Sequence, residues 1–336
     1  MRGDDARAGL LRRIGDVAIE VNAAIDRIVG ESEEAEPLYK AAKHLIKAGG
    51  KRIRPFIVVK SCELVGGDAS DAFPIAASIE LLHTFTLVHD DIMDQDELRR
   101  GVATVHKAWG LPTAIIVGDF LFAKVYEGIV RSSRTRPLPL GEILDRITGA
   151  TVRICEGQLL DMSLEGRLDA TEDDYFRMIE AKTATLFRVS AEVGGLVGGG
   201  TGDQVMRLGT YGFNAGIAFQ LIDDVLGLMA SEDVLKKPVG GDVREGKMTL
   251  IMIHALRHGA PQQRVRVAAA LGNVDASPSE IQEVIGIARS LGSIDYATQK
   301  ARLYVERARQ ALSAFPPSEA KRDLLDLAEF LTMRKY

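Results

Sequence analysis

Cysteine is nearly missing from this 336-residue chain. The two present, Cys62 and Cys155, stand far apart with no paired spacing, which excludes a disulfide framework and a zinc knuckle and suits a reducing compartment. Proline is absent from residues 140–237 and again from 279–315. Long helices tolerate such gaps, whereas a many-turned β fold needs breakers more often. A long hydrophobic run is missing too: the longest uncharged stretch, Leu208 to Ile222, is glycine-rich and far shorter than a bilayer span, and the first residues are charged with no apolar core behind them. Neither a signal peptide nor a membrane span is expected. There is no excess of positive charge, since 47 Asp and Glu outnumber 42 Lys and Arg, so a protein that coats nucleic acid is excluded. With 46% apolar and 26% charged residues, disordered, collagen-like and fibrous classes fall away as well.

What is present is helical periodicity. Leu10, Ile14, Val17, Val21, Ile25 and Ile28 step by three or four, the stripe of an amphipathic helix. Ser277-Pro278-Ser279-Glu280 reads as a capping box with proline at the first helical position, and Thr171 with Asp174 as a weaker one. Residues 131–139, 229–241 and 272–277 read as loops, and about a dozen helices are expected. Length alone suggests about two domains at roughly 150 residues each. No linker with a composition shift and no repeat of 20 to 50 residues divides the chain, so a single all-α domain is the expectation.

The chemistry-bearing residues begin at His89-Asp90-Asp91-Ile92-Met93-Asp94, where an apolar helix expected to start near Pro74 acquires three carboxylates. Asp90 and Asp94 are four apart and share a face, with Asp91 about 100° round the helix. Crowded carboxylates repel unless cations sit among them, and hard oxygen donors on one face suit Mg²⁺. Taken alone, such a run could equally be a solvated helix end. A second copy follows in Gln220-Leu221-Ile222-Asp223-Asp224-Val225-Leu226-Gly227, where Gln220, Asp223, Asp224 and Gly227 fall on one face within apolar sequence. Buried carboxylates without partners would be costly, so two such faces point to metal. Metal held by carboxylates commonly shares its coordination with phosphate, and cations are placed to match. Lys51, Arg52 and Arg54 follow Gly49-Gly50; Arg99 and Arg100 lie just beyond Asp94; Lys237 and Lys247 follow the second acidic face; Lys182-Thr183 adds a further pair.

These motifs, in this order, resemble the trans-isoprenyl diphosphate synthase (polyprenyl synthetase) family: GGKRIRP, HDDIMD, RRG, EGQ at residues 156–158, KT, FQLIDD, KPVGGD and EGK. Within that family the chain resembles archaeal-type short-chain geranylgeranyl diphosphate synthases. The resemblance implies one polyprenyl synthetase domain over residues 1–336, helices surrounding a deep apolar cavity with the two aspartate motifs at its mouth, a cytoplasmic homodimer, and about three Mg²⁺ ions. It implies that Asp90, Asp91, Asp94 and Asp223 hold metal, with Asp224, Lys182 and Lys237 also in the catalytic set. Arg99, Lys182, Thr183, Gln220, Lys237 and Lys247 match contacts to the allylic diphosphate, and Lys51, Arg54, His83 and Arg100 match the isopentenyl diphosphate site. At Gly227 many relatives carry a third aspartate, so the carboxylate supply of the second motif is thinner here.

The implied reaction is head-to-tail condensation of isopentenyl diphosphate with allylic diphosphates, in which cations stabilise charge on the leaving diphosphate and no protein nucleophile is required. Phe85, five residues before Asp90, matches the bulky residue that forms the tunnel floor in such synthases, which implies geranylgeranyl diphosphate (C20) as product, with C15 and C25 as alternatives. A class I terpene cyclase uses similar aspartates but has no second diphosphate site, against which Lys51, Arg54 and Arg100 speak. A non-catalytic partner subunit is opposed by intact first-motif aspartates.

Overall fold

The computed structural model describes residues 2–229 and 240–332. Helices α1 (Arg2–Val29), α2 (Glu36–Lys47), α3 (Ile53–Leu64) and α4 (Ala69–Met93) lead to an antiparallel pair of two-residue strands, β1 (Leu98–Arg99) and β2 (Val102–Ala103). There follow α5 (Val105–Trp109), α6 (Leu111–Ser133), α7 (Leu140–Leu164), α8 (Glu172–Ile179), a π-helical turn (Glu180–Ala184), α9 (Thr185–Val197) and α10 (Gly202–Met229). The chain continues with α11 (Gly241–Arg244), α12 (Leu250–His258), α13 (Pro261–Ala270), α14 (Pro278–Ser290), α15 (Ser293–Ala311) and α16 (Glu319–Thr332). The all-α class stands. Helical segments outnumber the dozen expected because some, such as α5 and α11, are only five and four residues long. Such short pieces leave no periodic trace in sequence.

The chain divides into two compact units, taking the described residues in each range: residues 1–148, 189–209 and 314–326 form the first, and residues 149–188, 210–313 and 327–336 the second. In the first, the stripe of α1 is buried at Leu10, Ile14, Val17, Val21, Ile25 and Ile28. Helix α4 packs against α1, α3 and α6, and Ile75, Ala76, Ile79, Leu81 and Leu82 along it are buried. By length and composition α4 could cross a membrane, yet 61% of its apolar window is buried inside the protein, as in the core helix of a folded domain. It begins earlier than expected, at Ala69, because Asp68 caps it with Oδ1 accepting from the Ser70 N–H at 2.7 Å. Pro74 therefore lies inside the helix, in its second turn. A buried carboxylate, Asp323 on α16, joins α1 and α3 through Arg13 (2.6 Å) and Lys60 (3.2 Å).

The core of the second unit is built from Tyr175, Ile179, Leu221, Val225, Ile251 and Ile285 with their neighbours on α8, α10, α12 and α14. Both expected capping boxes are present: Thr171 and Asp174 close the start of α8, Ser277 and Glu280 that of α14. The loop expected over residues 131–139 is shorter, since α6 runs on to Ser133. Of the loop expected over 229–241, Met229 is helical, Gly241 begins α11, and residues 230–239 lie outside the described residues.

Candidate active site

The acidic end of α4 and the hairpin beyond it form one assembly within the first unit. Asp90 and Asp94 stand a turn apart, and Asp94 is the C-cap of α4. Asp91 turns inward and is fully buried, with Oδ1 accepting from Arg99 Nε at 2.6 Å. The same guanidinium reaches Asp96 Oδ2 at 2.8 Å. Arg99 is delivered by the hairpin, whose two-residue turn is Arg100-Gly101 with φ of 55° and 79°. Both values are positive, the combination of a type I′ turn that matches strand twist, so the RRG motif is first a turn signal. Burial pushes the Asp91 carboxyl up to about 6 against the pull of Arg99.

Beside it lies a crowd of cations. Arg52, the N-cap of α3 in a left-handed conformation, points inward: it pairs with buried Glu80 at 2.8 Å and donates to the carbonyls of Ile46 (2.9 Å) and Gly49 (3.2 Å). Arg52 is thus a structural fastener, although it sits between Lys51 and Arg54. Arg100 Nη1 donates to the carbonyls of Leu45 and Gly49, which places it at the GGKR turn. His83 is held well below the usual imidazole range, by burial first and then by the charges of Arg54, Arg100, Arg99 and Arg52. A neutral ring among arginines is the environment of an anion site: the charges converge, and the histidine adds a hydrogen-bonding group without adding repulsion. Three of the four residues assigned to isopentenyl diphosphate, Arg54, His83 and Arg100, are therefore brought together, and Lys51 stands exposed on the adjoining turn.

In the second unit, Asp161, Lys182, Thr183, Gln220, Asp224 and Lys247 line one pocket. Lys182 and Thr183 belong to the π-helical turn, a distortion frequent at functional sites because it re-aims side chains. Gly157 of the EGQ motif permits it: a Cβ there would lie 2.3 Å from the backbone nitrogen of Lys182. Lys182 Nζ meets Asp161 Oδ2 at 2.6 Å. Thr183 Oγ1 donates to Gln220 Oε1 at 2.9 Å, and Gln220 Nε2 to Asp224 Oδ1 at 2.8 Å. The buried Tyr175 hydroxyl donates to Asp224 Oδ2 at 2.6 Å. Burial pushes Asp224 up to about 8, against the hydrogen bonds of Tyr175 and Gln220. Asp223, its neighbour, is on the exposed side of α10. Lys237 lies outside the described residues.

Sequence reasoning missed Asp161 and Tyr175. Asp161 sits three residues after Gln158 and four after Gly157, so a helical wheel through EGQ would have found it. Nothing local marks Tyr175, whose partner is 49 residues away.

Among the described residues no group of three or more His, Cys, Asp or Glu side chains stands together as a metal site. The donors still fit a hard cation. Asp91 Oδ2 is a buried carboxylate oxygen with no hydrogen-bond partner, and Asp90 and Asp94 flank it on the same helix end. Few protein carboxylates, with phosphate oxygens filling the rest, is the way Mg²⁺ is commonly held.

Phe85 packs edge-on to His89, with ring centroids 5.1 Å apart, and against Phe122 of α6, also at 5.1 Å. Phe122 in turn meets Tyr126. Phe85 is thus the first ring of an aromatic column between α4 and α6.

Comparison with known proteins agrees with this geometry. The family model for polyprenyl synthetase matches residues 35–288. The short chain isoprenyl diphosphate synthase of Methanothermobacter thermautotrophicus is 41% identical over 97% of this chain and 98% of its own. The geranylgeranyl diphosphate synthase of Saccharolobus solfataricus is 40% identical over 95% and 96%. Among solved structures, geranylgeranyl pyrophosphate synthetase from Pyrococcus horikoshii superposes with a TM-score of 0.91 at 41% identity, covering 98% of this chain and 99% of that one. With motifs, fold and near full-length identity in agreement, the chain belongs to the polyprenyl synthetase family.

Proposed function

We propose that this prenyltransferase condenses isopentenyl diphosphate with allylic diphosphates, head to tail and in trans geometry, to geranylgeranyl diphosphate (C20). The observation that carries the reading is the gathering of Arg54 and Arg100 around His83 in the first unit, together with a second set, Lys182, Thr183, Gln220 and Lys247, that lines one pocket of the second unit. Two separate sets of anion-binding groups suit two diphosphate substrates, whereas a cyclase needs one. Kinship to synthases named for geranylgeranyl diphosphate supports the product length.

In this reading Lys51, Arg54, His83 and Arg100 hold isopentenyl diphosphate. Lys182, Thr183, Gln220, Lys237 and Lys247, with Arg99, hold the allylic diphosphate. Mg²⁺ carried by Asp90, Asp91, Asp94 and Asp223, about three ions in all, would neutralise the leaving diphosphate. Lys182, oriented by Asp161, and Lys247 add fixed positive charge where negative charge develops as the allylic C–O bond ionises. The double bond of isopentenyl diphosphate then attacks the allylic carbon, and the proton lost from the new cation passes to an oxygen of the departing diphosphate. Asp224, with both oxygens engaged by Tyr175 and Gln220, orients Gln220 and through it Thr183.

The same reading makes the chain one functional domain over residues 1–336, a homodimer, and cytoplasmic. The test is incubation with Mg²⁺, labelled isopentenyl diphosphate and each of the C5, C10 and C15 allylic diphosphates, with products separated by chain length. A C20 product that disappears on chelation of divalent cations is expected. Consumption of the allylic substrate without isopentenyl diphosphate would instead identify a cyclase.

A further inference from the structure

The end of α2 gathers arginines from two other segments of the first unit. A helix leaves its last carbonyls without intrahelical partners and carries partial negative charge there. In α2, which ends at Lys47, two of these carbonyls are taken by guanidinium groups: Leu45 O accepts from Arg100 Nη1 at 3.1 Å, and Ile46 O from Arg52 Nη2 at 2.9 Å. Just beyond, the Gly49 carbonyl accepts from both, from Arg52 Nη1 at 3.2 Å and from Arg100 Nη1. The two guanidinium groups also converge over Gly50, where a Cβ would meet Arg52 Nη1 at 2.8 Å and Arg100 Cζ at 2.9 Å.

Like charges this close and this buried need a counter-charge. Glu80 supplies it. Its carboxylate is buried on α4, three residues before His83, and Oε1 accepts from Arg52 Nη1 at 2.8 Å. Burial pulls the Arg100 guanidinium below the usual arginine range, and among the charges around it Glu80 is the first to oppose that pull. Arg52 completes its set on α1, donating from Nε to Asn22 Oδ1 at 2.9 Å. One planar fork therefore ties together α1, the end of α2, the Gly49 turn and α4, which the single nitrogen of a lysine could not do.

We propose that Glu80 and Arg52 are positioning residues for isopentenyl diphosphate: their ion pair fixes the end of α2 and the Gly49 carbonyl, the seat on which Arg100 docks, at the start of the turn that runs through Lys51 to Arg54. Both act through Arg100 and that turn, since the donors of Arg52 are spent on protein acceptors. The inference rests on the prenyltransferase reading, which assigns Lys51, Arg54, His83 and Arg100 to this substrate.

The experiment titrates the full chain with isopentenyl diphosphate by calorimetry and adds steady-state kinetics, with a thermal melt on each variant as a folding control. Glu80→Gln keeps the shape and removes the charge. It is expected to raise Kd and KM for isopentenyl diphosphate by about tenfold, the scale of one charged hydrogen bond, while kcat and KM for the allylic diphosphate stay near the parent values, the mark of lost ground-state binding. Arg52→Lys keeps the charge facing Glu80 but not the fork, and should show the same split. Asn22→Ala, at an exposed position, loosens Arg52 without opening the core and should move the same constants in the same direction by a smaller factor; if Glu80→Gln fails to fold, the other two variants decide. Hydrogen exchange at the amides of residues 48–54 should quicken in each. Parent-like affinity and exchange in Arg52→Lys and Asn22→Ala would overturn the inference, as would equal losses in kcat and in both KM values, the pattern of general structural damage. A parent that binds no isopentenyl diphosphate would overturn the prenyltransferase reading instead, with hydrogen exchange still deciding whether the pair holds the turn.

Discussion

Replacing Gly157 by alanine tests whether the geometry of the π-helical turn is what the EGQ motif provides. Alanine in a helix interior is ordinarily favoured over glycine by about 0.5–1 kcal/mol. Here the added methyl would meet backbone on the facing turn: Lys182 N at 2.3 Å, Ala181 C at 2.7 Å and Lys182 Cα at 2.7 Å. None of these atoms ends a flexible side chain, so relief requires the turn to move by about 1 Å, at an overpacking cost of about 1–3 kcal/mol. The clash exceeds the propensity gain, and a net loss of about 1–2 kcal/mol in urea unfolding is expected. Catalysis should suffer more, because a displacement of about 1 Å of positioned groups can lower turnover by about 100-fold. KM for the allylic diphosphate should rise more than KM for isopentenyl diphosphate, since Lys182 and Thr183 belong to the former. Gly149→Ala, in the same helix with open space around the new methyl, is the control and should be neutral or slightly stabilising. If Gly157→Ala matched Gly149→Ala in stability and kcat, the role assigned to Gly157 would be wrong.

Arg54→Ala should raise KM for isopentenyl diphosphate more than for the allylic substrate, and Arg99→Ala should lean the other way; equal effects on both substrates would sink the division of the basic residues. Phe85→Ala removes the first ring of the Phe85–Phe122–Tyr126 column, and chromatography of the products should reveal lengthening by one or more C5 units, with an unchanged distribution counting against Phe85 as the floor. Thiol titration of the native protein at pH 8 should modify Cys155, which is exposed, and spare Cys62 until denaturant is added. Burial, with the charges of Glu63 and Asp68, pushes the Cys62 thiol up to about 12, leaving about one thiolate in ten thousand at that pH; rapid modification of two thiols would contradict this.

The helical class, the buried stripe of α1 and both capping boxes depend on contacts within a few residues, and for that reason they were legible in the sequence. The spacing of Asp90 with Asp94, and of Gln220 with Asp223 and Asp224, follows from helix geometry in the same way. Motif order pointed to the family for a different reason: the types and order of charged groups record the chemistry of diphosphates even before they are folded together. Neighbouring cations were harder to sort. Lys51, Arg52 and Arg54 look interchangeable in a row, yet the left-handed conformation of Arg52 turns it into Glu80 and the carbonyls of Ile46 and Gly49, while Arg54 bears on His83.

The sequence by itself determined which residues could carry charge, metal and apolar surface, and on which face of which helix each would stand. Only tertiary structure decided which of those groups remained available. Tyr175 takes one oxygen of Asp224 and Gln220 the other, Arg99 engages Asp91, and Asp161 orients Lys182. These outcomes share one physical reason: hydrogen bonds and ion pairs between side chains act over about 3 Å, and groups many residues apart reach that distance only when the packing of whole helices brings their backbones together.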